Sequence, residues 1–381
     1  MMTSDIGNVE MKGLVSDVAA ESTAMRSSGV CMMGRLGAAI CDGLGRLRLS
    51  TEVALVDFPG HSNCGDSAIW MGEKSALQSR VKVAYVCDLV SYSKPVLEKC
   101  LPEGDVLIHG GGNFGDLWPM HQAFRERIIS DFPDRRIIQM PQSIQFNSDK
   151  SLARARRIIN RHENVIILAR DGHSAAVARA EFRARVILCP DMAFALGPLE
   201  RLGQHTCDTL WLRRSDLESG MLQASNRVRM ASMGGVTVEC MDWLAEPPSA
   251  TKTSLKFLSG AISWAPNRLA GLWRLNATQS ERMARMRLRR GCAMLSRGKV
   301  VITDRLHGHI LCLLMSIPHV CLGDKYGKLK NFRETWRTES SISLWADTVE
   351  EARDMAKGLL ASQTGQLRNG MSAKGLTNKN E

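Results

Sequence analysis

Residues 52–77 read EVALVDFPGHSNCGDSAIWMGEKSAL and contain an apolar strand, a polar glycine-bearing loop and a helix in succession. The strand covers residues 53–57, the loop covers 60–66, and apolar residues at helical spacing continue to Leu77. Because the strand is apolar at consecutive rather than alternate positions, we expect both of its faces to be buried. Such a unit is typical of a parallel sheet that helices cover on both sides.

The same strand–loop–helix unit recurs along the chain. Further strands of a first series are predicted at residues 83–87, 105–109, 136–139, 165–168 and 186–189. A second series opens at 209–212, continues at 236–239 and ends in a unit at 299–323. Alternating strands and helices of this kind predict an α/β fold with two Rossmann-like domains. Their parallel sheets would face a central cleft, where ligands bind in open α/β sheets.

Glycines, prolines and changes in the pattern of apolar residues predict how the chain is divided into segments. The predicted segments are an N-terminal extension (1–48), a first Rossmann-like domain (49–198), a second Rossmann-like domain (205–348), a closing helix (349–362) and a disordered polar tail (363–381). Gly197-Pro198 and Gly203 mark the linker between the two domains. The stretch 249–277 follows no clear pattern.

The composition is that of a basic globular protein. Of 381 residues, 44% are hydrophobic and 23% are charged, and the formal net charge is +11. A positive surface attracts anionic small molecules, anionic lipid headgroups or nucleic acid. The Arg-rich run Arg282–Arg290 could bring the chain to an anionic membrane, and a solvated helix face explains it equally well. No interleaved aromatic pattern accompanies the charges, so we expect no nucleic-acid partner.

Cysteine usage and hydropathy predict a cytoplasmic location. The eleven cysteines include no CxxC pair and no set with zinc-ligand spacing, so we expect no metal site. Several of them lie in apolar runs and are expected to be buried in a reducing compartment. No stretch approaches the roughly 20 apolar residues that span a bilayer. Asp5 and Glu10 also argue against a secretory signal, and any membrane contact would be peripheral, at the inner face of the plasma membrane.

A glycine run follows one of the predicted strands, in DVLIHGGGNFGDLW at residues 105–118. Glycines let the backbone approach a ligand closely, and a helix start after them would offer free N–H groups to an anion. The run lacks the lysine of a P-loop and the spacing of a dinucleotide fingerprint, and a tight structural turn is the alternative. The candidate cleft residues of this run are Gly111, Gly112, Asn113 and Asp116.

A second motif, VVITDRLHGH at residues 300–309, ends an apolar strand and begins a helix near Gly308. Arg305 and His307 fall in the turn between them, and their side chains can point the same way. An arginine offers a planar fork to carboxylate or phosphate, and a histidine can move protons near neutral pH. We interpret the pair as an anion-binding and proton-transfer site rather than as structural residues.

Two more arginine positions follow predicted strands. Arg170 ends a strand of the first series and could reach across the cleft, or it could form a salt bridge to Asp171 or another nearby acid. Arg213 and Arg214 follow the first strand of the second series in the same way. A guanidinium at either place could bind an anion from the opposite side of the cleft.

The loop after the first strand contains two polar candidates. Asn63 and Asp66 could bind sugar hydroxyls, or they could turn the chain and cap the following helix. Trp70 and Trp118 could stack on a sugar face, although amphipathic helices often bury tryptophan.

Over residues 53–335 these motifs, in this order, resemble the polysaccharide pyruvyl transferase family. The matching residues are Asn63-x-Gly65-Asp66, Gly110-Gly111-Gly112-Asn113, Arg170-Asp171 with Ser174, Pro190-Asp191 and Arg305-x-His307-Gly308. The resemblance implies a fold similar to that of GT-B glycosyltransferases. It also implies phosphoenolpyruvate as donor substrate, with no separate cofactor, and a pyruvate ketal on a sugar as product. The acceptor would be an exopolysaccharide or surface-glycan precursor, with a lipid-linked oligosaccharide as one form.

The resemblance also assigns roles to individual residues. It makes His307 the general acid or base and Arg305 a ligand of the donor anion. The remaining phosphoenolpyruvate ligands would be Arg170, Arg214 and Gly308, and Arg213 or Arg214 could take the role of Arg170 instead. The residues that would bind the acceptor or line the cleft are Asn63, Asp66, Gly111, Gly112, Asn113 and Asp116.

Two other functions fit parts of the same pattern. A nucleotide-sugar glycosyltransferase would use the Arg-x-His turn for a diphosphate, but the sequence has no clear acidic residue to hold a ribose. A non-catalytic scaffold in polysaccharide assembly would not need Arg305 and His307, which are both present.

Overall fold

The computed structural model describes residues 32–216, 229–233, 235–265 and 270–375. Two β-sheets are formed by successive parts of the chain, and helices flank each of them. The predicted α/β fold with two Rossmann-like, mainly parallel sheets is confirmed. The domain boundaries stay a prediction, although the last strand of the first sheet ends at Leu188 and the second sheet begins at Cys207.

The first sheet consists of parallel strands. They are β1 (Glu52–Val56), β2 (Lys82–Cys87), β3 (Asp105–Ile108), β4 (Gly111–Gly115), β5 (Ile137–Gln145), β6 (Val165–Ala169) and β7 (Arg185–Leu188). Their spatial order is β2-β1-β3-β5-β6-β7, with β4 paired to β5. The chain moves outward from β1 to β2 and then crosses to β3 on the other side of β1. The loops after β1 and β3 therefore flank the crevice at which such sheets bind ligands.

Helices cover the first sheet. They are α1 (32–45), α2 (Cys64–Gln78), α3 (Lys94–Cys100), α4 (Pro119–Asp131), α5 (Asp149–Arg161) and α6 (Gly172–Glu181). Helix α1 buries Leu36, Ile40 and Leu44, spaced four residues apart on one helix face, in the main core. Part of the predicted N-terminal extension is thus core structure, and residues 1–31 lie outside the described residues.

The second sheet repeats the crossover. Its strands are β8 (Cys207–Leu212), β9 (Arg229–Met233), β10 (Val236–Met241), β11 (Gly298–Thr303), β12 (His319–Leu322) and β13 (Ser343–Ala346). The spatial order is β13-β12-β11-β8-β10-β9, and only β9 is antiparallel to its neighbour. The order reverses between β8 and β11, so the loops after these two strands flank the second crevice.

The helices of the second half resolve the stretch that sequence could not assign. They are α7 (Ala250–Trp264), α8 (Trp273–Ser296), α9 (Leu306–Leu314), α10 (Lys328–Trp336) and α11 (Val349–Gly375). Residues 249–277 thus contain α7 and the start of α8, and α8 packs against α2 and β2 of the first half. Helix α11 extends beyond residue 362, where we predicted its end, because no proline interrupts it. No described helix is long and apolar enough to cross a bilayer.

The glycine run adopts a structure that sequence did not predict. Instead of a loop that leads directly into a helix, residues 111–115 form strand β4 beside β5. Gly111 and Gly115 have φ angles of 125° and 132°, which favour glycine. A Cβ on Gly115 would lie 1.7 Å from the carbonyl oxygen of Gln145. Gly115 therefore allows the close approach of the two backbones.

Candidate active site

A cavity of about 660 Å³ lies where the crevices of the two sheets meet. This volume falls in the range of ligand pockets, about 300–1,000 Å³. The first half supplies residues of the loops after β1 and β3, together with Arg170. The second half supplies Arg214, Arg305, His307 and Lys328. The sequence therefore located the cleft correctly, at the carboxyl ends of strands in both sheets.

His307 is held by a buried carboxylate. Its Nε2 lies 3.2 Å from Oδ2 of Asp191. The imidazole packs directly on the backbone of α2, where a Cβ on Gly65 would be 2.4 Å from Nδ1 of His307. Only glycine at position 65 leaves room for the ring in this place. The histidine is thus fixed in orientation and still lines the cavity.

The same carboxylate oxygen also binds Arg170. Nη1 of Arg170 lies 2.9 Å from Oδ2 of Asp191, and Nε donates to Oγ of Ser143. Burial raises the pKa of Asp191, but His307, Arg170 and the Ala193 N–H outweigh it, so the pKa lies well below its usual value. Asp191 therefore stays ionised and holds one residue from each half of the chain.

The alternative role of Arg170, a salt bridge to a nearby acid, is present in the structure, but the acid is Asp191 rather than Asp171. Asp171 instead caps α6 by accepting from the Ser174 N–H. Asp191, which follows β7 in the Pro190-Asp191 motif, was not assigned a role from sequence. Its position after a strand of the first sheet was the available signal.

A second cation joins Arg170 above the glycine run. A Cβ on Gly112 would lie 3.0 Å from Nη2 of Arg170 and 3.2 Å from Nζ of Lys328. Nζ of Lys328 donates to the carbonyl oxygen of Gly112. The absence of a side chain at position 112 thus leaves space that two cations fill, and one of them, Arg170, shares the carboxylate of Asp191 with His307.

Lys328 was missed in the sequence analysis. It is the first residue of α10, where the helix dipole disfavours a positive charge. Neither packing nor helix stability explains a lysine at this position. Its place in the sequence was therefore the available signal of a functional role. Its charge is oriented into the cavity from the second half of the chain.

Arg305 and Arg214 lie where sequence placed them, in the lining of the cavity. The guanidinium of Arg305 is bound by Asp216 at 3.3 Å and by Asp242 at 2.7 Å. Asp216 also binds Nε of Arg214 at 2.8 Å. Carboxylates therefore position both arginines rigidly, and part of their charge is compensated.

Asn63 and Asp66 combine the two roles that sequence left open. Asn63 caps α2 by accepting from the Gly65 N–H, and its amide donates to Oδ2 of Asp66 at 2.8 Å. Burial raises the pKa of Asp66, but His61, His307 and other cations outweigh it and lower the pKa overall. Both residues also line the cavity.

Other predicted site residues have structural tasks. Asp116 does not line the cavity, because its carboxylate accepts from the N–H groups of Asn147 and Ser148. Gly308 is buried, and a Cβ there would be 2.4 Å from Oγ1 of Thr303, so it allows α9 to pack on β11. Gly111 lies behind Asp66, which lines the cavity: a Cβ on Gly111 would be 3.4 Å from Oδ1 of Asp66.

The side chain of Asn113 contacts both the cavity and the buried interior of the protein. It borders the cavity, while its Oδ1 accepts from Arg125 at 2.7 Å and from Gln142 at 2.8 Å. Trp70 is buried against Phe58, so it cannot stack on a sugar, whereas Trp118 lines the cavity.

One group of described side chains has the spacing of metal ligands, namely His309, His319 and Cys321. It does not line the cavity. His319 Nδ1 must donate to the Ile317 carbonyl, so its Nε2 accepts from His309 Nδ1 at 2.7 Å. His309 Nε2 then accepts from Thr338 Oγ1. All four ring nitrogens thus take part in hydrogen bonds. Hydrogen bonding, without a metal ion, accounts for why the two histidines lie together.

We expect this pair to make the protein acid-labile. Burial, together with Arg333, lowers the pKa of His309 well below its usual value, and burial lowers that of His319 to about 4. Since the unfolded chain binds these protons near pH 6.5, stability is present above that pH and is lost as pH falls toward 4. In urea unfolding, His319→Gln should reduce the stability difference between pH 7 and pH 5 by about 1–2 kcal/mol. An unchanged difference would contradict this.

Two mainly parallel β-sheets are flanked by helices, and cations and a histidine–carboxylate pair lie at their strand ends, in the cavity between them. This arrangement defines an enzyme with a GT-B-like fold. The sequence model of the polysaccharide pyruvyl transferase family matches residues 63–326, more than half of the chain. The chain belongs to this family and is therefore a transferase.

Individual relatives agree with this assignment. The chain is 32% identical over 320 residues to "Pyruvyl transferase 1" of Schizosaccharomyces pombe, covering 79% of this chain and 74% of that protein. It is 30% identical over 295 residues to "Putative pyruvyl transferase EpsO" of Bacillus subtilis, covering 75% of this chain and 85% of the relative. A crystallised Klebsiella pneumoniae protein of uncharacterised function shares the fold, with a TM-score of 0.51 and 17% identity over 80% of this chain and 96% of that one.

Proposed function

We propose that the enzyme transfers the pyruvyl group of phosphoenolpyruvate to two hydroxyls of one sugar and forms a pyruvate ketal. The observation that carries this proposal is the convergence of Arg170, Lys328 and His307 in one cavity. Seven lining side chains are lysine or arginine and three are aspartate, so the cavity favours anions. Phosphoenolpyruvate presents a carboxylate and a phosphate on a small frame, and both need cations.

The chemistry can be written with the residues at hand and no separate cofactor. A proton is added to the methylene carbon of the donor, which makes the adjacent carbon electrophilic. One sugar hydroxyl attacks that carbon, the bond to the phosphate oxygen breaks, and the second hydroxyl completes the ketal. The two hydroxyl protons balance the one gained by the methyl group and the one that leaves with phosphate. We assign the proton gained by the methyl group to His307, which shares the carboxylate of Asp191 with the cation Arg170.

We propose as acceptor a sugar of an exopolysaccharide or surface-glycan precursor in the cytoplasm. The cavity is much larger than the small donor requires, and Trp118 in its lining offers a face for stacking. The run Arg282–Arg290 is not a single basic patch, because Arg287 is buried against Glu246 and Arg290 bonds the loop at Ser62. This division favours a structural task for part of the run over membrane attraction.

Phosphoenolpyruvate should raise the melting temperature of the protein, since a ligand that binds only the folded state stabilises it. At 100 times Kd the gain is about 2.7 kcal/mol, which corresponds to a few degrees. Lys328→Gln should lose most of the shift, because it removes a cation beside Gly112. Lys330→Gln, on the exposed face of the same helix, is the matched control and should keep it.

The same melts discriminate between the proposal and its rival. A shift with nucleotide sugars and none with phosphoenolpyruvate would favour a nucleotide-sugar glycosyltransferase and overturn the proposed donor. Incubation with phosphoenolpyruvate and candidate acceptors should release inorganic phosphate in proportion to the ketal, which mass spectrometry detects as an added pyruvyl group.

A further inference from the structure

A second histidine–carboxylate pair lies in the same cavity. Asp57 directly follows β1, and His121 lies in the first turn of α4. Nδ1 of His121 is 2.8 Å from Oδ1 of Asp57. The aspartate side chain is fully buried, and its Oδ2 has no hydrogen-bond partner among the described residues. None of the motifs identified in the sequence included this pair.

The backbone at Asp57 is strained in a way that supports a functional role. Its φ angle is 70°, in the left-handed region that non-glycine residues seldom adopt. Such strain persists only where the surrounding structure enforces it. Here it directs a buried carboxylate toward the imidazole of His121, which lines the cavity with 14% of its side chain exposed.

The pair has the arrangement of an oriented acid–base catalyst. Because a carboxylate can only accept, Nδ1 of His121 carries the proton that they share when the imidazole is neutral. Nε2 is then the nitrogen that can exchange a proton with a bound molecule. A carboxylate in this position fixes the tautomer and stabilises the imidazolium that forms.

The two pairs lie in different parts of the cavity, and the segment from Asp57 to Gly65 runs from one pair to the other. His61 lies between them, with its ring centroid 6.0 Å from that of His121 and its Nε2 3.5 Å from Oδ2 of Asp66. Further along the chain, at the start of α2, Gly65 contacts the imidazole of His307, which belongs to the first pair. The cations Arg170 and Lys328 belong to the His307 end, whereas Trp118, Pro119 and Met120 line the cavity beside His121.

We propose that His121, oriented by Asp57, is the acid–base residue for the acceptor hydroxyls. This inference rests on the proposed function and divides its proton transfers between two histidines. At the cationic end, His307 delivers a proton to the methylene carbon of the donor. At the other end, Nε2 of His121 takes the proton from each attacking hydroxyl as its oxygen bonds to the adjacent carbon. One of these two protons leaves with phosphate, and the other replaces the proton that His307 gave to the methyl group, so the reaction needs no further reagent.

His121→Gln should separate donor binding from turnover. The melting shift with phosphoenolpyruvate and the KM for this donor should stay close to wild type, because the variant leaves the cations in place. The kcat for phosphate release with acceptor should fall by about 10²–10⁴, the usual contribution of a positioned acid–base group. His173→Gln, exposed in the first turn of α6, is the matched control and should retain full activity.

Two further variants distinguish catalysis from structure. Asp57→Asn keeps the shape and suits the left-handed backbone, so it should fold normally and lower kcat without changing the donor shift. His121→Ala should recover part of its turnover when imidazole is added, since the cavity can hold the free base. Wild-type turnover in His121→Gln, or a lost donor shift in it, would overturn the inference while the proposed function stands. A wild-type protein with neither donor shift nor turnover would overturn the proposed function itself.

Discussion

Replacing His307 with alanine is expected to lower kcat by about 10²–10⁴ and to leave the fold intact. Among the described residues, its imidazole is the acid–base group that contacts Asp191, and Arg170, one of the cations that would hold the donor, binds the same carboxylate. Without it, the proton for the methylene carbon has no positioned source. Phosphate release with donor and acceptor measures the loss directly.

Stability should change little in this variant, for a reason that the structure supplies. Asp191 remains bound by Arg170 and by the Ala193 N–H when the imidazole is gone, so its buried charge stays compensated. The melting temperature should therefore stay close to that of wild type, and the phosphoenolpyruvate shift should persist. His173→Ala, exposed on α6, provides the control. Unchanged turnover in His307→Ala would refute its catalytic role.

Much of the cleft could be predicted because parallel strands bring their following loops together. Arg170, Arg305 and Asn63 each come directly after a strand or within the next loop, and all of them line the cavity. Apolar runs of five or so residues located those strands, and the crossover rule then located the crevice. Neither step requires knowledge of side-chain contacts.

Contacts between distant segments could not be predicted in this way. Asp191 meets His307 only because the turn after β7 packs against α2 and α9, which depends on the whole arrangement of helices. The pairing of Asp57 with His121 joins two segments that local spacing does not relate. Proximity in sequence also misled us at Asp116, because β4 carries it away from the cavity toward Asn147.

Replacing Asp191 with alanine is expected to destabilise the protein and to lower kcat about as much as His307→Ala does, by about 10²–10⁴. The carboxylate is fully buried, and Arg170, with 3% of its side chain exposed, would keep only its hydrogen bond to Oγ of Ser143 among the described residues. Removing one partner of a buried ion pair typically costs about 3–5 kcal/mol, because the other charge is left uncompensated. Urea unfolding should show a lower midpoint with an unchanged m-value.

Asp354→Ala is the matched control, since Asp354 forms an exposed ion pair with Lys357 that should contribute about 0–1 kcal/mol. Activity provides an independent criterion. If Asp191 acts by orienting His307, then combining Asp191→Ala with His307→Ala should cost little more turnover than His307→Ala alone, because residues that act as a unit are not additive. Additive losses in kcat would mean that Asp191 acts on the reaction separately from His307. Its main task would then be to hold Arg170 against the donor, which a lost phosphoenolpyruvate shift in the single variant would reveal.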